Sequence, residues 1–159
     1  MRRARGERGF TLIELLIVLS IVSILARIAL PAYAGMVRDS VAAQVAADFG
    51  VVRSAATAQF EATGSYPADT PDGQVPPGLA AFLPQDFRFS KPHYQLAWNN
   101  YAVGDSADGT AGQIVAVTVT TDSHPLGLQL VNTLGRNCTH WSVGEAHTFV
   151  VMSTLEGGR

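Results

Sequence analysis

The chain has 159 residues, a length that suits one domain, and its single cysteine, Cys138, permits no intrachain disulfide. Charged residues make up only 15%, and the net charge of −2 is uneven, with +3 over residues 1–9 and −5 over the rest. Because electrostatic binding to nucleic acid needs a clustered basic face, the acidic remainder argues against a nucleic-acid partner.

The first predicted element is an apolar helix from Phe10 to Leu30, 21 residues without proline or glycine. At ~1.5 Å per residue such a helix spans the roughly 30 Å hydrocarbon core of a membrane. Residues 1–9 hold four arginines, and the positive-inside rule then keeps the amino terminus in the cytoplasm and exports the remainder. The sequence therefore predicts a single-pass membrane protein with an extracytoplasmic head.

Two plainer explanations of this segment are a simple membrane anchor and a secretory signal peptide. The small residues Ala32 and Ala34 offer an A-x-A cleavage site, which favours the signal peptide. Glu14 argues against it, because a carboxylate inside an apolar helix is costly and a disposable signal has no reason to carry one. Gly9 lies between the basic tip and the apolar helix, where a peptidase can cut before the helix instead of after it.

Residues 8–14, RGFTLIE, closely resemble the cleavage and methylation motif of type IV prepilins and type II secretion pseudopilins, and the similarity continues to Tyr33. The resemblance implies that a prepilin peptidase cuts after Gly9 and that Phe10 becomes an N-methylated terminus. It also implies a helix kink at Pro31, which lacks one backbone hydrogen bond. The implied partners are the peptidase, other pilin or pseudopilin subunits in a helical polymer, and the assembly machinery of the bacterial inner membrane.

Glu14 has a physical role that agrees with this resemblance. Cleavage after Gly9 creates a charged amine on Phe10, four residues before Glu14. When subunits stack as a bundle, the carboxylate of one can pair with the amine of its neighbour, and in low dielectric only a paired carboxylate is tolerated. We therefore expect Glu14 to set the register between subunits. Within its own chain we expect it to have no partner except the nearby terminus.

Residues 32–64 are predicted to continue the same helix as an amphipathic half that ends near Gly64. Apolar residues recur at spacings of three and four, which is one helical face. This predicted face consists of Tyr33, Val37, Val41, Val45, Phe49, Val52, Ala56 and Phe60. The polar residues assigned to other positions are Arg38, Asp39, Gln44, Asp48, Arg53 and Gln59.

The head, residues 65–159, is predicted to begin with a proline-rich loop over 65–92, with a helical turn at Leu79 to Leu83. Strand patterns cover Tyr94–Asn99 and Gln113–Thr121, joined by a polar connection from Gly104 to Gly112. A helix capped by Ser123 and stopped by Gly135 follows the second strand. The last two strands are predicted at Thr139–Val143 and His147–Met152, joined by a Gly144-Glu145 turn, and residues 156–159 are expected to form a frayed tail. The predicted fold class is α+β, a long helix packed on a small four-stranded antiparallel sheet.

Few residues of the head suggest chemistry. Cys138 and His140 are the only close pair of zinc-type ligands and lack a second pair, so scattered surface histidines are the preferred interpretation. Asp105 and Asp108 resemble a calcium loop without its closing glutamate, which favours a solvated turn. We expect no cofactor, no metal site and no catalytic residue. Ser20, Ser23 and Thr11 are expected to bond back to helix carbonyls.

The favoured function is structural, a pseudopilin or minor pilin in a type II secretion system or type IV pilus. The contrasting hypothesis is a membrane-tethered, extracytoplasmic ligand-binding domain that does not polymerise. Incorporation into fibres, and its dependence on Glu14, separates the two.

Overall fold

The computed structural model describes residues 10–103, 112–135, 138–144 and 146–155. The chain divides into two compact units, Met1–Val37 and Arg38–Arg159. Helix α1, Leu12–Thr63, has 52 residues and runs continuously through Pro31. The cleavage site at Gly9, the connection over residues 104–111 with Asp105 and Asp108, Glu145 of the predicted turn, and the tail over 156–159 lie outside the described residues.

The first part of α1 is apolar on all sides. Each large aliphatic side chain between Leu12 and Leu30 is 49% exposed or more, and α1 contains a stretch with a mean hydropathy of 2.4. By length and composition this helix can cross a membrane. An apolar surface of this extent is not stable in water, so it needs lipid or other helices around it. The kink at Pro31 stays a prediction.

Farther along, α1 buries one face against the sheet. Val45, Phe49, Val52 and Ala56 are buried as predicted, and they share the core with sheet residues such as Leu96 and Val119. The predicted face was wrong at its ends and incomplete in its middle. Tyr33 is 68% exposed and Phe60 39% exposed, whereas Ala42, Asp48, Ala55 and Gln59 are buried.

The burial of Asp48 is possible because the head supplies both an ion pair and a hydrogen bond. Lys91 Nζ lies 2.7 Å from Asp48 Oδ2, and the hydroxyl of Tyr94 donates to the same oxygen at 2.5 Å. Burial, this hydrogen bond and the charge of Asp48 all raise the pKa of Tyr94, so the phenol stays protonated. Assigning Asp48 to the polar side of the helix was therefore wrong. It is the buried anchor between α1 and the loop that precedes the sheet.

Helix α1 ends where the sequence predicts. Gly64 adopts φ 74°, a left-handed conformation that favours glycine, and its N–H donates to the carbonyl of Phe60 at 2.7 Å. The ring of Phe60 stacks on Tyr66 with centroids 4.4 Å apart. The predicted helical turn in the following loop is a short 3-10 helix, Leu79–Ala81.

The sheet has four antiparallel strands in the order β1-β2-β4-β3, which confirms the predicted fold class. Strand β1 is Gln95–Val103 and β2 is Gly112–Thr121. Strand β3 is Thr139–Val143, as predicted, and β4 is Ala146–Leu155. Helix α2, His124–Leu134, lies between β2 and β3 in the chain, with Ser123 and Gly135 at its two caps; the Ser123 side chain makes no capping hydrogen bond.

The outer side of β1 is covered by the loop that follows α1. The N–H groups of Thr70 and Gly73 donate to the carbonyls of Trp98 and Leu96, at 3.2 Å and 2.7 Å. The indole of Trp98 donates to the carbonyl of Pro67 at 3.0 Å. These bonds satisfy backbone and side-chain groups that an edge strand leaves open.

Candidate assembly site

The start of α1 is closed by a reciprocal pair of contacts between Thr11 and Glu14. The backbone N–H and the hydroxyl of Thr11 both donate to Glu14 Oε2 at 2.9 Å. In return the N–H of Glu14 lies 3.3 Å from Thr11 Oγ1 and donates to it. A threonine at the cap and a glutamate three residues later form a capping box, which satisfies N–H groups that have no partner within the helix.

This arrangement changes two sequence-based expectations. Glu14 does have a partner within its own chain, because Thr11 gives its carboxylate two hydrogen bonds. Thr11 does not bond back to a helix carbonyl, because it precedes the first turn and caps it. Ser20 and Ser23 do bond back, to the carbonyls of Ile17 at 2.8 Å and Leu19 at 2.7 Å.

The capping box leaves Glu14 able to meet a second group. Oε2 accepts both bonds from Thr11, while Oε1 accepts no hydrogen bond from the residues that the structure describes. Phe10 lies just before the box and is 82% exposed. The sequence contains the signal for this geometry, a threonine followed by a glutamate at the third position, but the prediction for Glu14 rested on its charge alone.

Cys138 and His140, the close pair of possible zinc ligands, have separate hydrogen-bond partners in the structure. The thiol of Cys138 donates to the carbonyl of Gly135 at 3.6 Å, and burial raises its pKa, which disfavours the thiolate that metals bind. His140 instead has its Nε2 3.0 Å from Nδ1 of His147. Among the described residues no group of three or more His, Cys, Asp or Glu is arranged to hold a metal ion. The calcium interpretation of Asp105 and Asp108 falls outside that part of the chain.

Comparisons with known proteins identify the amino-terminal segment. The family of the prokaryotic N-terminal methylation motif matches residues 4–29. The chain carries a prepilin-type amino terminus. Fimbrial protein EcpC of Eikenella corrodens is 43% identical over 63 residues, which are 40% of this chain and 41% of that protein. The match thus spans about two fifths of the relative's length, and no solved structure matches the chain.

The match over residues 4–29 confirms the resemblance to a prepilin-type terminus in residues 8–29. Together with the fimbrial relative and the α+β architecture, it supports a pilin-like subunit, a kind of protein that is usually structural and not enzymatic. The motif includes Gly9, Phe10 and Glu14, but the separate roles of these residues are not tested by the match.

Proposed function

We propose that the chain is a pseudopilin or minor pilin, a structural subunit that polymerises through α1 in a type II secretion system or type IV pilus. The observation that carries the proposal is the start of α1. Thr11 and Glu14 cap a helix whose large aliphatic side chains are exposed on all sides up to Leu30. Such a helix needs lipid before assembly and can exchange that lipid for neighbouring helices afterwards.

The proposed maturation takes place at the inner membrane. Prepilin peptidase cuts after Gly9 on the cytoplasmic side, Phe10 is N-methylated, and the head stays outside the cytoplasm. Residues 1–9 carry a net charge of +3, which supports this orientation. The inner-membrane assembly machinery then adds the subunit to a helical polymer. No intrachain disulfide can form with Cys138 alone, which distinguishes the head from adhesive major pilins with a disulfide-bounded loop.

The proposed mechanism gives the Glu14 carboxylate two partners at once. Oε2 accepts from Thr11 and shapes the first turn, while Oε1 is available for the Phe10 amine of a neighbouring subunit. The helix amino terminus carries a partial positive charge, so the carboxylate is stabilised there even before assembly. The neighbour's amine supplies the full opposite charge, which specifies the axial position of one subunit against the next.

Three variants separate the charge from the cap. Glu14→Gln keeps an acceptor at the third helical position but removes the charge, and glutamine also serves in capping boxes. Glu14→Val removes both, and Thr11→Val removes the hydroxyl while it keeps the charge. We expect both Glu14 variants to insert into the membrane and lose most of their assembled fraction, while Thr11→Val assembles.

The measurement is the fraction of subunit in sheared fibres or crosslinked oligomers relative to membrane monomer. If Glu14→Gln assembles as well as the parent, charge pairing is wrong. If no parent subunit enters an assembly while a ligand binds the head, the tethered binding domain is the better account. The mass of the mature chain tests processing separately: it should begin at Phe10 with one added methyl, whereas a terminus at Gly35 would indicate a signal peptide.

A further inference from the structure

Three histidines from three elements form a hydrogen-bonded row in the head. His124 opens α2, His140 lies on β3 and His147 lies on β4. Nδ1 of His124 is 2.9 Å from Nε2 of His147, and Nδ1 of His147 is 3.0 Å from Nε2 of His140. We call these residues the histidine row. Its central ring, His147, is 2% exposed, whereas the two outer residues are exposed.

The row is closely packed around its centre. The rings of His140 and His147 are nearly parallel, at 9° to each other with centroids 5.3 Å apart, and His140 stacks on the buried Phe149 at 4.6 Å. On the other side α2 approaches so closely that a Cβ added to Gly127 would overlap the His147 ring. Each ring directs a nitrogen at the next ring and not at a common point, which explains why the row is not a metal site.

The number of protons that the row can hold follows from its hydrogen bonds. Three neutral imidazoles have six nitrogens and three N–H protons. Two protons are needed for the two N–H···N bonds, and the third sits on one of the outer nitrogens. One added proton binds to the other outer nitrogen and leaves both N–H···N bonds intact. A second added proton must enter a bond that already has its proton, so that two N–H groups face each other.

We propose that the histidine row is a pH-sensitive latch that holds α2 on β3 and β4, closed with no or one added proton and opened by the second. Burial and the two neighbouring imidazoles lower the pKa of His147 from its ordinary 6.5, which agrees with a neutral centre.

No charged side chain in the described part of the chain compensates a second proton. Neither a carboxylate nor a thiol there is hydrogen-bonded to any of the three rings, and the one ion pair joins Lys91 to Asp48. Around the row, Thr121 on β2 pairs with His147, and the ring of Phe149 stacks on His140. Asp39 on α1 accepts a hydrogen bond from Gln129 of α2 at 2.6 Å. In the chain, Asp122 lies two residues before His124 and Cys138 two residues before His140.

The direction of the pH effect follows from proton linkage. Below the ordinary histidine pKa, the three histidines of the open state bind three added protons, whereas the closed row binds one added proton. Stability of the closed latch is therefore complete above about pH 6.5 and declines as pH falls below it. Because two protons separate the states, the protection of α2 should fall by up to about 100-fold per pH unit in the acid range.

The test is hydrogen exchange of the full-length chain in detergent micelles, corrected for the intrinsic rate at each pH. Amides of α2 report the latch, and amides of β2 report opening of the whole head. His140→Gln keeps a side chain that can donate or accept but leaves two titrating rings, so its slope should be about tenfold per pH unit. His93→Gln is the control, because His93 is exposed and outside the row.

The expected result is a steep loss of α2 protection in the parent and in His93→Gln, a shallower loss in His140→Gln, and β2 protection retained. Equal slopes in the parent and His140→Gln would overturn the latch. So would loss of α2 and β2 protection together at every pH, because opening would then be global and not local to α2.

Discussion

Replacement of Asp48 tests the account of the head's core. Asp48→Asn keeps an oxygen that can accept from the Tyr94 hydroxyl but removes the charge that faces Lys91 at 2.7 Å. Asp48→Ala removes both interactions. Because the carboxylate is buried at the contact between α1 and the loop before β1, water replaces the lost interactions only in part.

The expected loss of stability depends on how deeply Asp48 and its partners are buried. Removing one partner of a buried ion pair costs about 3–5 kcal/mol, but the Lys91 side chain is 18% exposed, so partial rehydration lowers this to about 2 kcal/mol for Asp48→Asn. Lys91 also keeps its position over the Phe87 ring, 5.0 Å from the centroid. Asp48→Ala leaves the buried Tyr94 hydroxyl without its acceptor as well, which adds about 1–3 kcal/mol.

Thermal unfolding of the full-length chain in detergent, followed by near-ultraviolet circular dichroism, reports the environment of the buried Trp98 in the head. At about 4 °C per kcal/mol, Asp48→Asn should lower Tm by about 8 °C and Asp48→Ala by about 15 °C. Glu61→Gln, an exposed change on the same helix, should leave Tm within about 2 °C. An Asp48→Asn protein that melts with the parent would refute the claim that this pair anchors α1.

Three further predictions concern backbone packing, alkaline pH and metals. Gly127→Ala should destabilise the head by about 1–3 kcal/mol in denaturant titrations, despite alanine's higher helix propensity, because the new Cβ would overlap the His147 ring. Gly50→Ala on α1 has nothing within 4 Å of the new Cβ and should stabilise the head by up to about 1 kcal/mol. Because the pKa of Tyr94 is raised above its ordinary 10.0, head stability should be complete below pH 10 and fall as pH rises above it, and Tyr94→Phe should flatten this dependence. EDTA should leave Tm unchanged; a drop of many degrees would indicate a calcium loop at Asp105 and Asp108.

Local patterns predicted most of the elements but not how far each extends. Alternation and turn residues located β3 at its observed bounds, Thr139–Val143. The β1 pattern was followed only to Asn99, yet the strand continues to Val103. Asparagine is a poor strand former, but Asn100 is held by the Asp69 carboxylate through its N–H and by the Pro67 carbonyl through its side chain. Those partners are more than thirty residues away, beyond the reach of a local pattern.

Two polar residues that were predicted to be exposed have a local sequence signal for burial. Asp48 lies three residues after Val45 and four before Val52, which places it on the buried face of α1. His147 lies two residues before Phe149 on β4, so both side chains point to the same face of the sheet. Their burial was missed because charge was taken to decide exposure. Their partners depend on tertiary contacts that local patterns do not predict. Asp48 contacts Lys91 and Tyr94 before β1, and His147 contacts His124 and His140.

The two edges of the sheet differ in whether another segment covers them. The loop over 67–74 occupies the outer side of β1, and β3 is the other outermost strand, with all five of its residues exposed. Within the described residues, no segment hydrogen-bonds to the outer side of β3. A sheet with two open edges can recruit strands without limit, as amyloid does, whereas a sheet with one open edge stops after a single pairing. The covered edge of β1 thus limits edge-to-edge pairing between copies of this sheet to pairs.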